Sequence, residues 1–246
     1  VYHWRERGNN NLPYWRKRVS MFSATDNWLA TDPEAHAGIL AMQVVENPSG
    51  HPELERARGE TQQELRARFA GQEASALDGY GPIPAYSAYY RTFRKTYHVL
   101  GQLRSVIFEG KSIPSVVALV EAMFLAELKN GLLTAGHDLD MVRLPAWLDA
   151  AAGSERYTTL SGQERTLKAG DMYIADQEGV LSSIIYGPDQ RTRITPATRN
   201  VLYTVYAPAG VGAERVREHL DELCRLVQLF SPAAAVSLMQ VFGANG

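Results

Sequence analysis

Residues Ser112 to Asp140 read SIPSVVALVEAMFLAELKNGLLTAGHDLD, and the reading of this stretch decides the fold. Val116, Val117, Val120, Met123, Phe124 and Leu128 recur at three- and four-residue spacing, which lays one apolar stripe along a helix. Pro114 fits a first helical turn, where its missing N–H costs nothing, and Ser112 fits the cap. The spacing predicts a buried helix over 113–130. Asn130-Gly131 ends it, since both residues tolerate the left-handed conformation in which helices stop. Leu132 to Ala135 is too short for another helix and reads as a strand, with Gly136 and Asp138 suited to a tight turn.

Working outward, residues 169–207 (AGDMYIADQEGVLSSIIYGPDQRTRITPATRNVLYTVYA) read as a run of strands. His36 to Val45 reads as a buried strand bounded by Asn47-Pro48 and Gly50. Pro52 to Ala70 reads as a charged helix anchored by Leu54, Leu65 and Phe69. A turn-rich loop follows over 74–84, then helices over 85–99 and 102–108. Short strands are expected at 141–144 and 157–160, an amphipathic helix over 213–230, and a weakly helical tail over 233–242. Strands at both ends with helices between predict an α+β fold, a mixed β-sheet core covered by helices.

Composition narrows the function classes. The 246 residues suffice for one sizeable domain, expected over 21–246, and the 45% hydrophobic content is that of an ordinary globular chain. No apolar run reaches the ~18 residues that span a bilayer, so no membrane role is expected. The single cysteine, Cys224, has no internal disulfide partner, and a reducing, cytoplasmic setting follows. It shares a helix face with Leu220, Leu223, Val227 and Phe230 and reads as a small buried hydrophobe. The six histidines form no ligand-spaced pair, so neither a metal nor another cofactor is expected. A formal net charge of −2 gives no overall attraction to nucleic acid, so any RNA contact needs a local basic surface. Residues 1–20 carry Arg5, Arg7, Arg16, Lys17 and Arg18 against one acid, Glu6. They read as a separate basic extension, either an RNA-binding arm or a stretch foreign to the native chain.

The ordered elements resemble the B3/B4 domain of the phenylalanyl-tRNA synthetase beta chain, in its free-standing form. The resemblance rests on Ile113-Pro114, Leu119-Val120-Glu121, Gly131 and Gly136-His137-Asp138-Leu139-Asp140. It continues through Ala169 to Asp176, Gly179-Val180-Leu181, Arg191-Thr192-Arg193-Ile194-Thr195, Thr198 and Asn200, and it covers most of residues 35–230. It implies a B3/B4-like fold and a protein that binds the aminoacylated acceptor end of tRNA. The implied activity is hydrolysis, in trans, of an amino acid attached to the wrong tRNA, with no DNA partner and no synthetase activity. The alternative is a non-catalytic RNA- or amino-acid-binding module that keeps the fold without editing. Departures bear on that choice. Phe124 stands where the synthetase's helix carries asparagine, Ala135 where its strand carries histidine, and Tyr186-Gly187-Pro188-Asp189 near its loop glutamate. The apolar Val117, Phe124 and Ala135 point to a small or apolar acyl pocket rather than one for tyrosine.

Candidate site residues follow from chemistry and the resemblance together. His137 and Asp138 are the candidate catalytic pair, with Asp138 orienting the imidazole or holding a substrate amine; the alternative is a turn cap beside a surface histidine. No G-x-S-x-G elbow supplies an activated serine, so hydrolysis would use a positioned water assisted by the substrate's ribose hydroxyl. Thr134, Gly136, Asp176 and Tyr186 are candidate substrate contacts at a strand edge where backbone approaches a ligand closely. Glu121, a carboxylate in an apolar helix, needs a cation, either a substrate amine or a structural arginine. Arg91, Arg94 and Lys95 lie beside the aromatic stripe Tyr86, Tyr89, Tyr90, Phe93 and Tyr97. With Arg191 and Arg193 they are the candidate RNA contacts; the alternative is a core-facing stripe with a solvated basic back.

Overall fold

The computed structural model describes residues 21–244, so the basic stretch 1–20 lies outside the described residues. In chain order the elements are β1 (Phe22–Ala24), α1 (Asp26–Thr31), β2 (His36–Gln43), α2 (Pro52–Arg68), α3 (Ile83–Thr92), α4 (His98–Ile107), α5 (Ala118–Asn130) and β3 (Leu133–Asp138). Then come β4 (Ala146–Ala150), β5 (Arg156–Thr158), β6 (Glu164–Thr166), β7 (Met172–Asp176), β8 (Gly179–Ser183), β9 (Gly187–Pro188), β10 (Asn200–Ala207), α6 (Ala213–Phe230) and β11 (Ala235–Phe242). One sheet has the order β11-β2-β10-β3 and is antiparallel throughout. A second has the order β1-β4-β7-β8-β9, with β1 parallel to β4 and the rest antiparallel. β5 and β6 form a separate hairpin. The fold is thus α+β with mixed sheets. Among the described residues no helix is long and apolar enough to cross a membrane.

The first sheet carries the core. β2 and β10 are buried along nearly their whole length, so both faces are covered and their residues do not alternate between apolar and polar. α6 covers one face with Val216, Leu220, Leu223 and Val227, spaced by helical turns. Gly38 of β2 lets that helix sit directly on the strand, because a Cβ there would lie 2.7 Å from Val216 Cγ1. α5 is buried almost all round rather than along one stripe.

The structure corrects several boundaries. α5 starts at Ala118, not near Pro114. Ser112 does not cap it. Ala118 N–H donates to Pro48 O and Leu119 N–H to Asn47 Oδ1, so a distant loop satisfies its first donors. The predicted stop is present, with Gly131 left-handed at φ 71°. The strand after it runs on to Asp138, so Gly136 is a mid-strand residue opposite Tyr203, and the turn comes at 139–141. The helix predicted over 85–99 stops at Thr92 and the next, predicted over 102–108, already starts at His98, with the break where Arg94 takes φ 57°. The segment 141–144 is a turn and loop, not a strand. The tail is β11, an edge strand on β2, since pairing in a sheet overrides a weak local helical preference.

Candidate functional site

A cavity of about 410 Å³ lies under α5, between the two sheets. Helical spacing brings Val120, Met123, Phe124 and Glu127 onto the wall that α5 contributes. β3 contributes Thr134, Ala135 and Gly136, β10 contributes Tyr206, and the segment Ser183–Pro188 closes the far side with Ile194 and Arg193. The walls are mainly apolar with a few polar groups, the usual make-up of a small-ligand site. Gly136 is required by this packing. A Cβ there would meet Ile194 Cδ1 at 2.8 Å and Met123 Sδ and Tyr203 Cε1 at 3.3 Å each.

The polar groups of the cavity are tied to one another. Glu127 is buried, and its Oε1 accepts the N–H of Thr134 at 2.7 Å. Burial pushes its carboxyl up to about 8, with the Thr134 hydrogen bond working the other way. Thr134 Oγ1 lies 2.8 Å from His219 Nε2, while Asn130 Nδ2 lies 3.0 Å from His219 Nδ1. Burial holds this imidazole neutral, down at about 3. With the amide donating to Nδ1, the ring proton sits on Nε2 and is given to Thr134 Oγ1. The threonine's own proton is then free to point at a ligand.

His137 is fully buried in β3 and does not line this cavity. Thr192 Oγ1 donates to Asp189 Oδ1, so it accepts from His137 Nδ1 at 2.7 Å. His137 Nε2 lies 3.1 Å from Ser182 Oγ, which lies 2.8 Å from the Tyr206 hydroxyl, whose own proton goes to the carbonyl oxygen of Ser182 at 2.9 Å. Burial and the nearby Arg191 hold the imidazole down at about 3, against the pull of Asp176. The sequence expectation that Asp138 orients His137 is corrected. The two side chains leave opposite faces of the strand, and Asp138 accepts from Thr198 Oγ1 at 2.7 Å and from Asp140 N–H. The alternative is half right: Asp138 caps a turn, but His137 is not at the surface.

A second depression, about 880 Å³, opens beside the first and is lined by Asp138, Arg156, Glu178, Asp189, Arg191 and Arg193, among others. Arg193 lines both spaces and is exposed, with no hydrogen bond or ion pair to the described residues. Arg191 is committed to Asp176 at 2.9 Å and Glu178 at 3.1 Å. Asp176 also accepts from the N–H groups of Arg143, Glu178 and Gly179, so it organises the turn rather than facing a ligand. Glu121 is placed outside the cavity. It pairs with Arg58 at 3.2 Å and accepts from Ser115 Oγ, the structural arginine being the realised partner.

Tyr186 stands at the cavity with Lys95 Nζ 5.6 Å and Arg165 Cζ 5.9 Å from its ring centre. Tyr86, Tyr90, Phe93 and Tyr97 of the aromatic stripe are core residues, while Tyr89 is only partly buried and lines a separate depression. Arg91 is exposed and lines neither space, and Arg94 lines a separate depression with Asp32 and Lys168. Of the predicted site residues, the cavity therefore gathers Thr134, Gly136, Tyr186 and Arg193. Sequence reasoning missed Glu127, Ser183, Tyr206 and Arg165. For Glu127 the signal was present, because a second carboxylate in an apolar helix poses the same question as Glu121. Among the described residues no cluster of His, Cys, Asp and Glu could hold a metal ion.

Comparison with known proteins adds three findings. The sequence pattern of the B3/4 domain family matches residues 86–230. A search of curated proteins gives no match. The fold is similar to the crystal structure of an N-terminal fragment of the phenylalanyl-tRNA synthetase beta-subunit from Pyrococcus horikoshii, at 14% identity and a TM-score of 0.46. That similarity covers 89% of this chain and 53% of the fragment, so this chain spans about half the fragment's length.

Proposed function

Since this chain belongs to the B3/4 domain family, we propose that it binds the aminoacylated end of tRNA and hydrolyses mischarged aminoacyl-tRNA in trans. The observation that carries this reading is the mainly apolar cavity adjoining a larger cleft across one uncommitted arginine, Arg193. An acyl group with an apolar side chain fits the cavity, in keeping with Phe124 and Ala135 on its walls. Arg193, Lys95 and Arg165, with the Tyr186 ring among the last two, offer cations and a stacking surface to the terminal nucleotides. In the reaction a water oxygen bonds to the acyl carbon and the bond to the ribose oxygen breaks. The ribose oxygen takes a proton, and the released acid gives its own to solvent. In this reading Thr134, which lines the cavity, donates a hydrogen bond to the acyl group, and exclusion of bulk water strengthens that contact. His137, both nitrogens occupied, holds Ser182 and Thr192 in position.

The burial of His137 away from the cavity favours a second reading, a binding module that keeps the cavity without turnover. The test is to incubate the purified chain with cognate and mischarged aminoacyl-tRNAs and follow loss of the acyl bond above its spontaneous rate. Accelerated loss from particular mischarged pairs is expected. No acceleration with tRNA binding intact favours the binding module.

A further inference from the structure

Among the described residues Glu127 is the only carboxyl group lining the cavity, and it is 3% exposed. The family resemblance does not single it out, and the proposed hydrolysis does not use it. Its Oε1 takes one N–H, that of Thr134, and its Oε2 has no hydrogen-bond partner among the described residues. It has no ion-pair partner there either. Lys129, two residues on, is held by Glu222 at 2.9 Å, and Glu121, the other buried acid of α5, has Arg58. An ionised carboxylate buried without a cation is expensive, and such a group normally keeps its proton or finds a charge. α5 thus carries two buried carboxylates, one paired with Arg58 and one lining a cavity with volume enough for an amino acid side chain.

We propose that Glu127 receives a primary ammonium group of the ligand, the free α-ammonium of an aminoacyl ester with an apolar side chain. The proposal rests on the aminoacyl reading of the cavity and sharpens it, because acyl groups with a blocked amine are excluded. Thr134 is adjacent for the acyl oxygen, since its N–H holds Glu127 and its hydroxyl proton is free. Phe124, Val120 and Ile194 provide the apolar wall. Ligand binding ionises Glu127, so below the carboxyl's raised pKa the complex forms with release of a proton.

The test uses leucine methyl ester and N-acetyl-leucine methyl ester as probes, titrated calorimetrically at pH 6.5 in buffers of different ionisation enthalpy. The free amine is expected to bind at least tenfold more tightly than the acetylated ester, with net proton release. Glu127→Gln, which can still accept the Thr134 N–H, is expected to lose that preference and the proton release together. Equal binding of the two esters, or an unchanged preference in the variant, overturns the proposal. The proton release of the unsubstituted protein provides a readout that does not depend on the variant folding. Aminoacyl-tRNA and N-acetylaminoacyl-tRNA then separate the two levels of argument. Equal deacylation of both overturns the ammonium site while hydrolysis stands. Glu127-dependent amine binding without any deacylation keeps the ammonium site and removes the hydrolase.

Discussion

Replacing Glu127 by glutamine should change how stability depends on pH, by an amount set by its burial. Its carboxyl is raised from an ordinary 4.5 to about 8. The folded chain therefore binds one more proton than the unfolded chain between these values, and stability falls as pH rises through the window. Below 4.5 the carboxyl is protonated in both states and the cost vanishes. One group contributes about 1.4 kcal/mol per pH unit, so from pH 5 to 7.5 the unsubstituted protein loses on the order of 3 kcal/mol that Glu127→Gln does not lose. Ionisable groups around Glu127 include the Tyr86, Tyr90 and Tyr97 hydroxyls, all raised by burial and neutral here, His219 through Thr134, and His98, Arg193 and Tyr206, which line the same cavity. Asp171, pushed up to about 7 by burial, and the neutral His137 and His219 also shape the stability profile. Their contributions are common to both proteins and cancel in the difference. Urea unfolding of both across this range supplies the difference curve. A difference that stays flat would refute the argument, because it would mean that Glu127 is solvated or paired.

Arg58→Ala should cost about 3 kcal/mol in urea unfolding, because it strands the buried Glu121 carboxylate without its cation. A cost near zero would show that water reaches that carboxylate. Gly136→Ala should destabilise by about 1–3 kcal/mol and weaken binding of leucine methyl ester, since the new methyl group drives Ile194 toward the cavity. Thermal unfolding and calorimetry measure the two effects separately. Arg193→Ala should weaken tRNA binding with little change in stability and lower the slope of log affinity against log salt by about one, as expected for a lost phosphate contact. An unchanged slope would take Arg193 out of the interface.

Much of the architecture was legible because local signals agreed with one another. Asn130-Gly131 stops α5 where the chain reverses, the apolar spacing of 213–230 gives α6, and the β-rich composition of 169–207 gives four of the strands. The misreadings share a cause. α5 begins at Ala118 because Asn47 and Pro48 satisfy its first donors, the 85–99 helix breaks so that Tyr97 packs against Tyr86 at 4.4 Å, and the tail becomes a strand because β2 offers an open edge. Each depends on a partner distant in sequence, which local propensity does not contain.

The site divides in the same way. The sequence alone determined residue types and periodicities: an apolar helix carrying two carboxylates, a glycine in the strand that follows, and basic residues around the aromatic segments. It therefore determined the α+β class and the family. Only the tertiary structure decided which carboxylate is neutralised, since Arg58 lies 63 residues before Glu121 and no ion-pair partner reaches Glu127 among the described residues. It also decided that His137 turns into the protein while Thr134 faces the cavity. Charge pairing and cavity walls are set by side chains from several elements meeting in space. The cost of a buried charge depends on that meeting, and not on its neighbours in the chain.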